Sequence, residues 1–276
     1  MAGKRPRSRR RLVASGVPTL LDVVARLRAA GCVFAEDEAA LLLDATGDPD
    51  RLEVMVARRV AGTPLEHVLG WAEFAGIRVA VTDGVFVPRH RTELLTTTGR
   101  ALLLQARGRT VLDLCCGTGA LGLVVARDVP GVRLVAADVD PAAVACARIN
   151  LERLGPPGAL ACCGDLFAPL PAGLRGAVDV LLANVPYVPT GEIAFLPEEF
   201  RVHEARAALD GGGDGLDVLR RVAVAAGEWL APGGSLLTEA GAAQLPAAHA
   251  VLAAAGLHPR TVFDPGTETS VVVATV

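Results

Sequence analysis

The sequence predicts an α/β protein: an open, mainly parallel sheet of seven strands covered by helices on both faces, preceded by a small helical domain. Three observations predict it. From residue 110 onward, short apolar and β-branched runs alternate with stretches of helical period, the pattern of repeated β-α units. The run Val178-Asp179-Val180-Leu181-Leu182-Ala183 is short and almost wholly apolar, as a strand buried on both faces must be. The turn Cys115-Cys116-Gly117-Thr118-Gly119 stands between a strand run and a helical run, where such a sheet places a ligand-binding glycine turn.

Bulk properties agree. With 276 residues, 51% hydrophobic and 21% charged, the chain can bury a sizeable core in one or two domains. No apolar run reaches the length of a membrane span, and the basic start lacks the apolar core of a secretory signal. A cytoplasmic location without membrane contact is expected. Net charge is −3, but residues 1–16 hold Lys4, Arg5, Arg7, Arg9, Arg10 and Arg11 and no acid. Without those six, 21 of the 27 basic residues face 30 acids, a balance of −9. An acidic body argues against a groove built for a phosphate backbone. The basic segment reads as a disordered, solubilising end. Six cysteines include two adjacent pairs and no Cys-x-x-Cys, so neither a disulfide framework nor a zinc site is expected. The five histidines show no metal-ligand spacing. No metal is assigned, and nothing assigns an oligomeric state.

In chain order, Pro18 to Ala30 reads as a helix, with Leu20, Leu21, Val24 and Leu27 at helical spacing and Gly31 as a stop. Glu36 to Ala45 follows, with Leu41, Leu42 and Leu43 assigned to its buried side. A third helix starts at a cap, Asp48 or Asp50, and ends before Gly62. Residues 17–69 thus form the helical domain. Residues 70–92 read as a β-hairpin linker, with strands at 74–81 and 85–87 around Thr82-Asp83-Gly84. Residues 93–276 form the catalytic domain. It opens with a helix at 93–107. Its strands are expected at 110–114, 132–138, 159–163, 178–184, 234–240, 260–264 and 270–276. Its further helices are expected at 119–128, 141–153, 215–230 and 243–255. Residues 188–214 lack a period and read as a long substrate-binding loop.

Gly117-x-Gly119-x-x-Gly122, with Asp138 about 20 residues on, fits the dinucleotide fingerprint. Two further acids favour S-adenosyl-L-methionine over a nicotinamide dinucleotide. Asp113, just before the turn, would repel a pyrophosphate but suits the amino group of an amino-acid moiety. Asp165 can accept from an adenine amino group, with Leu166 or Phe167 flanking the ring. Asp113, Asp138, Asp165 and Asn184 then place one polar group at the end of each of four successive strands. The cofactor set is Asp113, Cys115, Gly117, Gly119, Asp138, Asp165, Leu166 and Asn184.

Asn184-Val185-Pro186-Tyr187 ends the buried strand and reads as the acceptor site. An amide or aromatic amino nitrogen is a poor nucleophile because its lone pair is delocalised. The Asn184 side-chain oxygen and the Val185 carbonyl can accept its two N–H bonds and free that lone pair. Pro186 stiffens the backbone. Tyr187 can cover the planar acceptor and favour the nearby sulfonium.

These motifs resemble the HemK/PrmC-type protein-(glutamine-N5) methyltransferases over residues 18 to 276. Further similarities are Arg59-x-x-Gly62-x-Pro64, Gly70-Trp71-Ala72-Glu73-Phe74-x-Gly76 and Val87-Pro88-Arg89-x-x-Thr92-Glu93. Pro141 and Asn150, His203-Glu204, Ala208-Leu209-x-Gly211-Gly212, Gly215-Leu216 and Glu239-x-Gly241-x-x-Gln244 extend the match. The resemblance implies a class I S-adenosylmethionine-dependent methyltransferase fold, Rossmann-like, and methylation of a glutamine in a translation protein, first a peptide chain release factor. Val185 departs from the family's Asn-Pro-Pro-Tyr, and Cys115 from its first motif glycine. His67, His90 and Arg91 depart outside the cofactor motifs and bear on the protein substrate. The alternatives are a ribosomal-protein glutamine, an amino group of a nucleic-acid base, and a non-catalytic S-adenosylmethionine-binding protein. Nucleic acid is disfavoured by the acidic body and by the lack of an aromatic-plus-basic segment.

Overall fold

The computed structural model describes residues 18–276; the basic segment 1–16 lies outside them. The chain divides into two compact units between Gly62 and Thr63.

The first unit holds helices α1 (Leu20–Ala29), α2 (Ala35–Asp44) and α3 (Pro49–Val60). Thr19 and Asp22 form a capping box at the start of α1, each satisfying a backbone N–H of the other. Asp48 caps α3, with Pro49 in its first turn. Of the three consecutive leucines on α2 only Leu42 is fully buried, while Leu41 is 37% exposed. Three consecutive residues step by about 100° each around a helix, so they cannot share one face. The bidentate Arg59–Glu38 pair, at 2.6 and 3.0 Å, is partly buried in this unit.

The second unit opens with α4 (Leu65–Leu69), stopped by Gly70 at φ +80°. Then β1 (Trp71–Phe74) and β2 (Ile77–Ala80) pair antiparallel. Their turn is Ala75-Gly76, both with positive φ, which suits a two-residue hairpin. The expected hairpin around Thr82-Asp83-Gly84 is thus shifted. Residues 85–87 form no strand, and Gly84 instead bridges to Glu204.

Helix α5 (Glu93–Gln105) leads into the sheet. The sheet comprises β3 (Thr110–Leu114), β4 (Arg133–Asp138), β5 (Leu160–Cys163), β6 (Val178–Ala183), β7 (Leu230–Glu239), β8 (His258–Asp264) and β9 (Thr269–Thr275). Its helices are α6 (Ala120–Ala126), α7 (Pro141–Leu154), α8 (Glu198–His203), α9 (Asp217–Trp229) and α10 (Leu245–Ala254). The strand order is β5-β4-β3-β6-β7-β9-β8, with β9 antiparallel to both neighbours. Along β3, Val111 packs on the face covered by α5 and α6, and Leu112 and Leu114 on the face covered by α9 and α10. Residues 188–214 are not a plain loop: α8 and two 3-10 turns, Thr190–Phe195 and Arg206–Ala208, lie in it. Such single turns are too short to leave a periodic signal in the sequence.

Candidate active site

β3 and β6 are neighbours whose onward connections leave in opposite directions. That reversal opens a crevice at the carboxyl ends of the strands. Here it forms a cavity of roughly 410 Å³, within the size range of small-molecule sites. Cys115, Gly117, Asp138, Asp165 and Leu166 line it, as does the whole tetrapeptide from Asn184 to Tyr187. Of the residues expected from the sequence, Asp113 and Gly119 are not on its wall.

The glycine turn bends through three left-handed residues, Cys115 at φ +54°, Gly117 at +54° and Gly119 at +74°. Cys115 takes this conformation with a side chain, against a local steric cost. The Gly117 N–H donates to Asp138 Oδ2 at 2.9 Å and the Asp140 N–H to Oδ1 at 3.0 Å. Asp138 is thereby fixed at the edge of the cavity. Burial raises its pKa, with the Asp140 and Gly117 N–H groups acting against the shift.

Asp113 is buried, and its Oδ2 accepts from the Gly122 N–H at 2.9 Å. Side chains alternate along a strand, so Asp113 shares the α6 face with Val111 and does not open onto the cavity. Burial pushes its pKa up to about 7, opposed by the Gly122 hydrogen bond and helped by the charge of Asp138. From there its carboxylate supports the turn from beneath. Gly122 explains the close packing: a Cβ there would lie 2.8 Å from a Leu134 methyl and 3.0 Å from Asp113 Oδ2. Gly119 sits behind the wall, where a Cβ would touch Ala147 on α7 at 3.4 Å. Asn150, also on α7, is fully buried. Its side chain bonds Ala80 N at 2.7 Å, Ala80 O at 2.9 Å and Thr118 O at 2.9 Å. It ties the hairpin to the glycine turn.

At the end of β5, Asp165 is exposed and pairs with Arg221 of α9, which also lines the cavity. Leu166 takes φ +47° and faces the cavity. Phe167 does not: it stacks on Trp229 with ring centroids 5.4 Å apart.

At the end of β6, Asn184 Oδ1 is buried with no hydrogen-bond partner. A buried polar atom left unpaired is costly, so this one awaits a donor. The Tyr187 hydroxyl accepts from Arg91 Nη2, and the Arg91 guanidinium lies 5.7 Å from the ring centre. Burial raises the Tyr187 pKa, helped by Glu239 and opposed by Arg91 and Arg89. The backbone after the tetrapeptide is held on several sides. Gln244 Nε2 donates to Tyr187 O at 2.9 Å and Asp214 O at 3.0 Å. Val188 N donates to Leu209 O, and Gly211 N to Val188 O. A Cβ on Gly211 would lie 2.7 Å from Pro186 O, and one on Gly215 2.2 Å from Tyr187 O. These contacts account for Gly211, Gly215 and Gln244 in the matched motifs.

Sequence reasoning named a substrate-binding loop at 188–214 but gave no individual role to Phe86, Arg89, Phe200 or Glu204. All four line the cavity. The Arg89 guanidinium lies over Phe86 at 4.9 Å and Phe200 at 4.1 Å, and pairs with buried Glu204. The signals in the chain were Pro88-Arg89 and Glu204 within the matched motifs, and the reading of 188–214 as a substrate-binding loop. Among the described residues no cluster of His, Cys, Asp or Glu is arranged to hold a metal ion. No helix there is long and apolar enough to cross a membrane.

Residues 79–225 match the family model described as "Methyltransferase small domain". The chain is 38% identical over 237 residues to the release factor glutamine methyltransferase of Geobacter sulfurreducens, covering 82% of this chain and 79% of that one. It is 38% identical over 213 residues to the 4-amino-L-phenylalanine/4-methylamino-L-phenylalanine methyltransferase of Streptomyces pristinaespiralis, covering 75% and 71%. Among solved structures it resembles the 16S rRNA N2 G1207 methyltransferase of T. thermophilus, in complex with AdoMet and guanosine. The TM-score is 0.52, with 25% identity over 74% of this chain and 49% of that one.

Proposed function

The chain belongs to the release factor glutamine methyltransferase family, and on that premise we propose that it methylates the side-chain amide nitrogen of a glutamine in a release factor, using S-adenosyl-L-methionine. The sheet order and the family match make it an enzyme of the class I methyltransferase fold. The observation that carries the reading is the unpartnered, buried Asn184 Oδ1 at the cavity wall. A primary amide supplies the missing donor. The Val185 carbonyl is the second acceptor, so both N–H bonds are held and the nitrogen lone pair turns toward the methyl group. Tyr187 covers the acceptor, and its backbone is locked by Gln244 and Leu209 through Val188. Positioning of this kind can supply much of a displacement's rate.

The residues present fit the cofactor. Asp138 suits the ribose hydroxyls, Leu166 the adenine face and Asp165 its amino group; Cys115 and Gly117 line the turn. When bound, the cofactor supplies an electrophilic methyl on a sulfonium. Such a reaction in a bacterial chain would take place in the cytoplasm.

The test is methyl transfer from labelled S-adenosylmethionine to purified release factors, ribosomal proteins, RNA and 4-amino-L-phenylalanine. Label in release factor, lost on glutamine substitution, is expected. Label only in RNA or in the free amino acid sinks the protein-glutamine reading.

Two further results are expected. Gly215→Ala puts a Cβ against Tyr187 O and Gln244 Nε2 at φ +79°. It should lower kcat about tenfold with little change in cofactor affinity, measured by steady-state kinetics and calorimetry. Cofactor affinity should also rise with pH. Asp138 binds its proton more tightly than an ordinary carboxylate, and Asp113 holds one up to about pH 7. A cationic ligand favours both in the ionised form, so protons leave on binding. Affinity should climb from pH 5 and level off above about 7. Calorimetry in two buffers of different ionisation enthalpy reads that release; its absence would refute the linkage.

A further inference from the structure

Among the described residues, three buried side-chain oxygens have no hydrogen-bond partner: Asn184 Oδ1, Glu204 Oε2 and Glu239 Oε1. Asn184 serves the acceptor. Glu239 is not on the cavity wall, whereas Glu204 is. The Glu204 side chain is fully buried. Its Oε1 accepts from Val87 N at 3.3 Å and from Arg89 Nη2. Its Oε2 has nothing.

The position narrows what that oxygen could accept from. Glu204 bridges to Gly84, and Ala205 N donates to Gly84 O at 3.1 Å. This clamps the segment 84–89 over the glycine turn, where a Cβ on Gly117 would lie 3.9 Å from Phe86 O. Arg89 is near enough to Tyr187 for its charge to act on that hydroxyl. Arg89 and Glu204 therefore share the cavity wall with both the glycine turn and the acceptor tetrapeptide. The other acids on the wall are engaged. Asp138 takes two backbone N–H groups, Asp140 caps α7 through Ala142 N, and Asp165 pairs with Arg221.

We propose that Arg89 and Glu204 together hold the amino-acid end of the cofactor, Glu204 Oε2 accepting from its ammonium and the remaining Arg89 N–H groups donating to its carboxylate. This rests on the cofactor reading above. A half-buried ion pair facing a zwitterion gives each charge an opposite partner, and a guanidinium fork matches a carboxylate in geometry. Stacking between Phe86 and Phe200 keeps that fork in one orientation. It assigns to this pair the ammonium contact that the sequence suggested for Asp113, whose carboxylate bonds Gly122 N under α6.

The test is calorimetric binding of S-adenosylhomocysteine and of 5′-methylthioadenosine to the full chain. The second ligand has the same nucleoside and thioether but no amino-acid arm. Glu204→Gln should weaken S-adenosylhomocysteine at least about tenfold, the scale of a lost charged hydrogen bond, and leave 5′-methylthioadenosine unchanged. Arg89→Lys, which keeps the charge and loses the fork, should show the same selectivity with a smaller loss. Because each variant is its own control across the two ligands, a general weakening of the fold does not imitate the result. Equal losses on both ligands, or no loss on S-adenosylhomocysteine, would overturn the proposal. So would an effect confined to the KM of the acceptor protein. If the unaltered chain binds neither nucleoside, the cofactor reading falls and this inference falls with it.

Discussion

Asn184→Ala should lower methyl transfer by about 10²–10³-fold, the loss seen when one transition-state hydrogen-bonding partner is removed from an active site. Cofactor affinity should stay nearly unchanged. The reason is the difference between the two states of the acceptor. A ground-state amide keeps its nitrogen planar and asks little of Asn184 Oδ1. As the methyl transfers, the nitrogen becomes tetrahedral and its N–H bonds grow more acidic, so an acceptor fixed along them gains strength. Only such a differential interaction raises kcat. Oδ1 is buried and otherwise unpaired, so its removal strands no other protein group. The fold should tolerate the change, which a melting curve checks. Single-turnover transfer to release factor, with calorimetry on S-adenosylhomocysteine, separates the two effects. Transfer at the unaltered rate would show that the acceptor is held elsewhere.

Asp138→Ala should weaken cofactor binding by about 10 to 10²-fold, since hydrogen bonds to a charged group contribute about 1.5–3 kcal/mol. The carboxylate is pinned by Gly117 N and Asp140 N, so it is already oriented when the ribose arrives. Removing it also leaves those two N–H groups without their acceptor and loosens the glycine turn. The loss should therefore fall on 5′-methylthioadenosine as heavily as on S-adenosylhomocysteine. That pattern is opposite to the one expected for Glu204→Gln. Unchanged affinity for both would remove Asp138 from the ribose site.

Much of the architecture was legible because it is local. The strand candidates from 110 to 276 meet the observed β3 to β9 within a few residues, since buried strands leave unbroken apolar runs. The glycine turn was legible because φ values near +54° and +74° favour residues without a side chain. The hairpin was misplaced because Thr82-Asp83-Gly84 is as good a turn on paper as Ala75-Gly76. What decides between them is the pairing of Trp71 with Ala80 and the buried Asn150 that grips Ala80. Asp113 was legible as the acid before the turn, but the side of the sheet it packs on was not. Its direction depends on strand parity relative to α6, which no motif spells out.

The sequence by itself determined the order of the seven sheet strands and the long helices, the glycine turn, Asp138 and the tetrapeptide from Asn184 to Tyr187. Periodicity, glycine and proline are properties of neighbours in the chain. Only the tertiary structure decided that Phe86, Arg89, Glu204 and Arg221 share a cavity with that tetrapeptide. Glu204 lies 115 residues from Arg89. Such a pair is set by which segments the packed sheet brings over its switch point, and by the cost of burying a charge without a partner. The same packing leaves two oxygens on the cavity wall unpaired, one on Asn184 and one on Glu204.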